Sequence, residues 1–206
     1  MIQIFIQGGP IMWPLLVTSV IALATVIDRL IFILGETRRR QPEVVENLLS
    51  KVEAGDIEGA IRASDGSTDF VARTLVYALE HRDRSLSHAL LKAASGELQR
   101  FNRGLAVLDT IITLAPLLGL LGTVTGMIHS FGLLGGEELG APAAITGGIA
   151  EALIATAFGL GIAITALLPF NYLNTRLEEA RHEIQDAATH LELILQKTPG
   201  SLRQPV

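Results

Sequence analysis

The chain has 206 residues, 49% of them hydrophobic and 18% charged, with a formal net charge of -5 and a mean hydropathy of +0.44. A soluble domain carries about a quarter charged residues, so this composition excludes an ordinary water-soluble fold. The absence of cysteine excludes a disulfide framework, a thiolate metal site and a cysteine nucleophile.

Residues 1–10, MIQIFIQGGP, are short, apolar and glycine-terminated. They predict an N-terminal interfacial helix, with Trp13 at headgroup level between Pro10 and Pro14. Apolar blocks at Ile11 to Leu34, Leu105 to Phe131 and Ile145 to Leu168 each approach the ~20 residues that cross a ~30 Å hydrocarbon core. They predict transmembrane helices over 11–34, 105–131 and 147–170. The first block lacks a basic leader region and a small-x-small cleavage pattern, so it reads as a retained span rather than a signal peptide. Asp28 and Arg29 near its inner end read as a snorkelling pair at the interface.

Positive charge is distributed unevenly. Residues 1–12 and 132–148 hold no Lys or Arg, residues 35–104 hold eleven, and the tail from Asn171 holds four. The positive-inside rule therefore puts the N-terminus and a periplasmic loop over 132–146 outside. A helical domain over 35–104 and a C-terminal helix and tail over 171–206 fall in the cytoplasm. Arg38, Arg39 and Arg40 are the main orientation anchors, and this role accounts for the basic cluster without nucleic acid.

Within 35–104, Pro42 can open a helix, Gly55 can close it and Asp56 can cap the next. Apolar spacing predicts helices over 42–54, 57–64 and 68–81. From Ser85 the pattern Leu86, Leu90, Ala93, Ala94, Leu98, Phe101 continues towards the second span, which predicts one long helix. Beyond the third span, Leu177, Ala180, Ile184, Ala187, Leu191 and Ile194 keep 3-4 spacing, a seam that must pack on a neighbouring helix or on another copy. The fold class predicted is an all-α membrane protein with three transmembrane helices and long cytoplasmic extensions.

Inside the second span Ala115, Gly119, Gly122 and Gly126 form one narrow stripe. Gly148, Ala152, Ala155, Gly159 and Ala163 do the same in the third. Such stripes let helices approach closely. Three polar residues sit beside them: Thr123, about 12 Å inward from Phe131, Thr156, about 13 Å inward from Gly147, and Glu151. A buried threonine can satisfy itself on its own helix. A carboxylate within a span costs about 2.5–3.5 kcal/mol on insertion scales unless it meets water or a partner, which makes Glu151 the strongest functional candidate. His129 reads as interfacial, and Glu137 and Glu138 as solvated loop residues. His88, His129, His182 and His190 lack the spacing of a catalytic or metal site, so neither an enzyme, a metal nor a cofactor is expected.

The runs LAPLLGLLGTVTGMIHSF (114–131) and GGIAEALIATAFGLGIAI (147–164), with GGPIMWPLL (8–16) and Asp28-Arg29, resemble the MotA/TolQ/ExbB proton-channel family, in its ExbB/TolQ branch. Two departures stand out: Thr125 where a Trp is common, and Thr165 where many relatives have a Pro. The resemblance implies a homopentamer around a dimer of single-span ExbD-like or TolR-like subunits. Proton flow through that assembly would energise a TonB-like or TolA-like protein at the bacterial inner membrane. It also implies that the pore threonines fall on Thr123 and Thr156 and the pore glutamate on Glu151, while the main proton-carrying aspartate belongs to the partner. The competing reading of the residues themselves is a non-conducting scaffold or adaptor, in which the stripes Gly119, Gly122, Gly126, Ala152 and Gly159 assemble helices and the polar groups only bond between them.

Overall fold

The computed structural model describes residues 2–83, 85–132 and 142–197. These form α1 (Ile2–Gln7), α2 (Met12–Arg38), α3 (Pro42–Glu53), α4 (Ile57–Ser64), α5 (Phe70–Glu80), α6 (Leu86–Asn102), α7 (Leu105–Gly132) and α8 (Pro142–Lys197), with no strand among the described residues. Three stretches, Met12–Arg38, Leu86–Gly132 (α6 and α7) and Thr146–Lys197, each hold an 18-residue window apolar enough to cross a membrane, with window mean hydropathies of 2.1, 2.0 and 2.1.

The chain divides into two compact units, Met1–Arg29 with Gly104–Leu173, and Leu30–Arg103 with Asn174–Val206. The first is built inside out. One buried apolar cluster in it joins Ala22, Ile111 and Ala166, with Ile112 and Ile162 packed around them. Large apolar side chains such as Leu117, Leu120, Ile128, Phe131, Ile164 and Leu168 face outward, as a bilayer solvent requires. The stripe residues Ala115, Gly119, Gly122 and Gly126 are all buried, as are Gly148, Ala152, Ala155 and Gly159. A Cβ on Gly126 would stand 3.1 Å from Ala152 Cβ, one on Gly122 2.5 Å from Ala155 Cβ, and one on Gly159 2.5 Å from the Ala115 carbonyl oxygen. As numbers fall along α7 their partners rise along α8, so the two helices pack antiparallel through backbone-close contact.

The second unit has an ordinary apolar core. Val45, Leu48, Leu49 and Val52 of α3, Val71, Leu75 and Leu79 of α5, and Leu90 and Phe101 of α6 are buried. Leu177, Ala180, Ile184, Leu191 and Ile194 of α8 are buried too, so the seam packs within this chain. Ser87 at the start of α6 donates to Glu192 at 2.8 Å, which runs this part of α8 along α6. Helix ends follow local chemistry. α3 opens with Pro42 and closes with a Schellman pair, Gly55 N to Val52 O and Asp56 N to Lys51 O. Asp56 caps α4 through Gly59 N at 2.9 Å, and Asp69 caps α5 through Val71 N and Ala72 N.

Three expectations are corrected. The helix from Ser85 does not run unbroken into the second span: it stops at Asn102, and Gly104 stands at φ +83 between α6 and α7. That left-handed conformation is open to glycine, and a Cβ there would also press on the Arg29 stem at 3.1 Å. The loop expected over 132–146 is partly helix, because α8 begins at Pro142, whose fixed φ suits a first helical turn. Residues 133–141, with Glu137 and Glu138, lie outside the described residues. The first span likewise continues as helix beyond residue 34, to Arg38.

Candidate functional site

The α7–α8 interface positions the candidate residues. Thr156 follows Ala155 on the contact face of α8, and the glycine opposite leaves its carbonyl uncovered. Thr156 Oγ1 donates to Gly119 O at 2.9 Å. In an α-helix that carbonyl is also the acceptor for the N–H of Thr123, so both threonines converge on Gly119, one by hydroxyl and one by backbone. Thr123's own hydroxyl turns back onto Leu120 O at 2.6 Å. Both threonines are half-buried. Each hydroxyl spends its proton on a carbonyl and keeps oxygen lone pairs that can accept a hydrogen bond from a protonated carboxyl group.

Glu151 is half-buried and lies on a different side of α8. Its carboxylate packs against Gly9 in the turn between α1 and α2. One helical turn on, Ile154 packs against Gly8, while Ile11 fills the space over Gly122. The structure therefore brings Thr123 and Thr156 to one carbonyl and seats Glu151 on another element. The packing residues Gly119, Gly122, Gly126, Ala152 and Gly159 are all used as close-approach positions between α7 and α8.

Of the three arginines expected to anchor the orientation, Arg38 and Arg39 are exposed and Arg40 is not. Arg40 binds the wholly buried Asp69 carboxylate and Glu183, and lies 4.8 Å from the Phe70 ring centroid. Sequence reasoning missed this role; the signal was Asp69 standing as an N-cap ahead of the apolar run from Phe70. Arg29 is buried, not snorkelling, and its Nη2 donates to Asp28 at 2.6 Å. Elsewhere in the second unit, burial lowers the pKa of Arg73, but its bonds to Glu97 and the charges of Glu97, Glu36 and Asp69 outweigh this and raise it above the usual value.

Three bilayer-length apolar stretches, with glycine-mediated packing of the last two helices and polar groups set at that seam, define a polytopic membrane protein. The model of the MotA/TolQ/ExbB proton channel family matches residues 63–186, and the chain belongs to that family. It is 35% identical over 208 residues to biopolymer transport protein ExbB-like 1 of Synechocystis sp., covering 98% of this chain and 82% of the relative. It is 27% identical to the biopolymer transport protein ExbB of Neisseria meningitidis serogroup A, covering 94% and 97%. Against the Tol-Pal system protein TolQ of Haemophilus influenzae it is 33% identical over 109 residues, 53% of this chain and 48% of the relative. These relatives bear out the ExbB/TolQ branch, and with the three spans they make this a multi-pass membrane protein.

Proposed function

We propose that this chain is the wall-forming subunit of a proton-driven motor in the bacterial inner membrane. Five copies surround a dimer of ExbD/TolR-like single-span subunits, and the proton motive force energises a TonB/TolA-like protein. The N-terminus lies in the periplasm and the C-terminus in the cytoplasm, with Arg38, Arg39 and Arg40 as the orientation signal. The observation that carries this reading is the match to a proton-channel family over residues 63–186, a stretch that takes in Thr123, Glu151 and Thr156. Protons enter past Glu151, are held on a partner carboxylate beside Thr123 and Thr156, and leave to the cytoplasm. The energy scale suffices, since one charge crossing 100 mV releases about 2.3 kcal/mol.

A second reading, a non-conducting scaffold, draws on the Thr156 hydroxyl, whose proton is engaged within the protomer by Gly119 O. Proton uptake by vesicles holding the chain with its single-span subunit separates the two. On the motor reading, Glu151→Ala and Thr156→Val lower uptake and coupled transport. Unchanged flux in both variants would end the site assignment, and no proton uptake by the intact complex would leave the scaffold.

A further inference from the structure

We propose that the turn Gly8–Gly9–Pro10 is the seat of the Glu151 carboxylate, and that Gly9 is a positioning residue whose missing side chain sets where that carboxylate stands. The inference deepens the proton-path reading of Glu151 and rests on it.

A Cβ placed on Gly9 would occupy the space of the Glu151 carboxylate oxygen, and would stand 2.6 Å from its Cδ and 3.0 Å from its Cγ. Gly9 also has φ +72, so glycine is required twice over, by backbone conformation and by the group packed against it. The carboxylate is not held by the amides of the two glycines, because both are spent within α1: Gly8 N donates to Ile4 O and Gly9 N to Ile6 O, at 3.1 and 3.3 Å. Shape therefore does the seating. The turn is fixed on both flanks. Gly8 packs on Ile154 and Ile11 on Gly122, Met12 and Leu15 are each 1% exposed, and Phe5 meets Trp13 edge to face at 5.4 Å. A half-exposed carboxylate pressed on one side by a rigid turn can exchange its proton only from the other side. The turn between α1 and α2 thus decides from which direction Glu151 is reached.

The test is a double-mutant cycle of Gly9→Ala and Glu151→Asp in the complex with the single-span subunit, read by vesicle proton uptake and by thermal unfolding. Aspartate withdraws the carboxylate by one methylene, making room for the alanine methyl, whereas the positive-φ penalty of alanine is common to both backgrounds and cancels. Gly9→Ala alone is expected to lower uptake by about tenfold or more, towards the roughly hundredfold cost of an ångström-sized misplacement. In the Glu151→Asp background the same change should cost less than threefold, roughly the size of an uncoupled effect. Equal fractional losses in both backgrounds, with Glu151→Ala still lowering uptake, would overturn the seat and spare the proton-path reading. Coupling in unfolding temperature but not in uptake would reduce the contact to packing and overturn the positioning role. If Glu151→Ala leaves uptake unchanged while unfolding temperatures couple, the proton-path reading itself fails and takes the positioning role with it.

Discussion

Thr156 donates its hydroxyl across the helix interface to Gly119 O at 2.9 Å, whereas Thr125 and Thr165 donate back along their own helices to Leu121 O and Gly161 O. The difference comes from Gly119, which has no side chain to cover its carbonyl and which lets the α8 backbone come close. Thr156→Val, which keeps the shape and removes the donor, should destabilise the bundle by about 1 kcal/mol. Thr156→Ser should stay near the parent. Thermal unfolding in detergent checks the stability order. If proton flux falls for valine and not for serine, and by more than the stability loss accounts for, the hydroxyl acts on the proton as well as on the fold.

The seam between α7 and α8 makes a sharper forecast, because two glycines two residues apart on α8 face opposite fates. A Cβ on Gly159 would meet Ala115 O at 2.5 Å and Gly119 Cα at 3.1 Å, whereas one on Gly161 would meet nothing within 4 Å. Backbone atoms cannot step aside as a side chain can. Gly159→Ala should therefore cost about 1–3 kcal/mol by overpacking, and Gly161→Ala should be neutral or stabilising through lower unfolded-state entropy. Matched unfolding curves of the two variants decide it, and equal losses would contradict the packing described.

Gly104 and Gly96 give the same contrast at another place in the chain. Gly96 lies inside α6 with open space where a Cβ would go, so Gly96→Ala should stabilise by about 0.5–1 kcal/mol. Gly104 stands at φ +83 with Arg29 and Thr25 side-chain carbons 3.1–3.2 Å from its would-be Cβ. Gly104→Ala should destabilise by about 1–2 kcal/mol, measurable as a lower unfolding temperature.

Arg73 fixes one pH behaviour. Its pKa is raised in the folded chain, with burial opposing and Glu97, Glu36 and Asp69 prevailing. A group raised on folding contributes fully at every pH below its unfolded value, and loses that contribution only as pH climbs through the folded one. For a guanidinium both values lie far above neutrality. The unfolding-temperature penalty of Arg73→Gln should therefore be the same at neutral and mildly alkaline pH, and a penalty that shrank with rising pH would refute the assignment.

Much of this architecture was legible because bilayer spans and small-residue stripes are periodic signals of a single chain. Pro42, Gly55 and Asp56 announced the ends of α3 and α4, and Leu177 to Ile194 announced a packed seam. What escaped was tertiary. A lone glycine at position 104 is no stronger a breaker by composition than Gly96, which lies inside a helix, and only its neighbours Arg29 and Thr25 distinguish it. The Gly9–Glu151 contact joins residues more than a hundred positions apart, which no local period can report. Arg40 was read as a topological charge because its partner Asp69 is 29 residues away.

That ion pair supports the last forecast. Asp69 is wholly buried, and its carboxylate accepts from Arg40, Gln41 N, Val71 N and Ala72 N. It therefore joins the chain after α2 to the start of α5, and through Arg40 to Glu183 on α8. Asp69→Ala removes all four acceptor contacts at once, leaving three backbone N–H groups without their acceptor and Arg40, 23% exposed, with Glu183 as its remaining carboxylate partner, so the loss should approach about 3 kcal/mol, the lower end for a broken buried pair. Asp69→Asn keeps an acceptor for the α5 cap and should cost less, about 1–2 kcal/mol. Arg40→Met should also fall below Asp69→Ala, because three backbone N–H groups still hold the carboxylate. Hydrogen exchange of the α3 and α5 amides should rank the variants in that order, Asp69→Ala worst. If Arg40→Met were the most damaging, the guanidinium rather than the three amides would be what holds the buried charge.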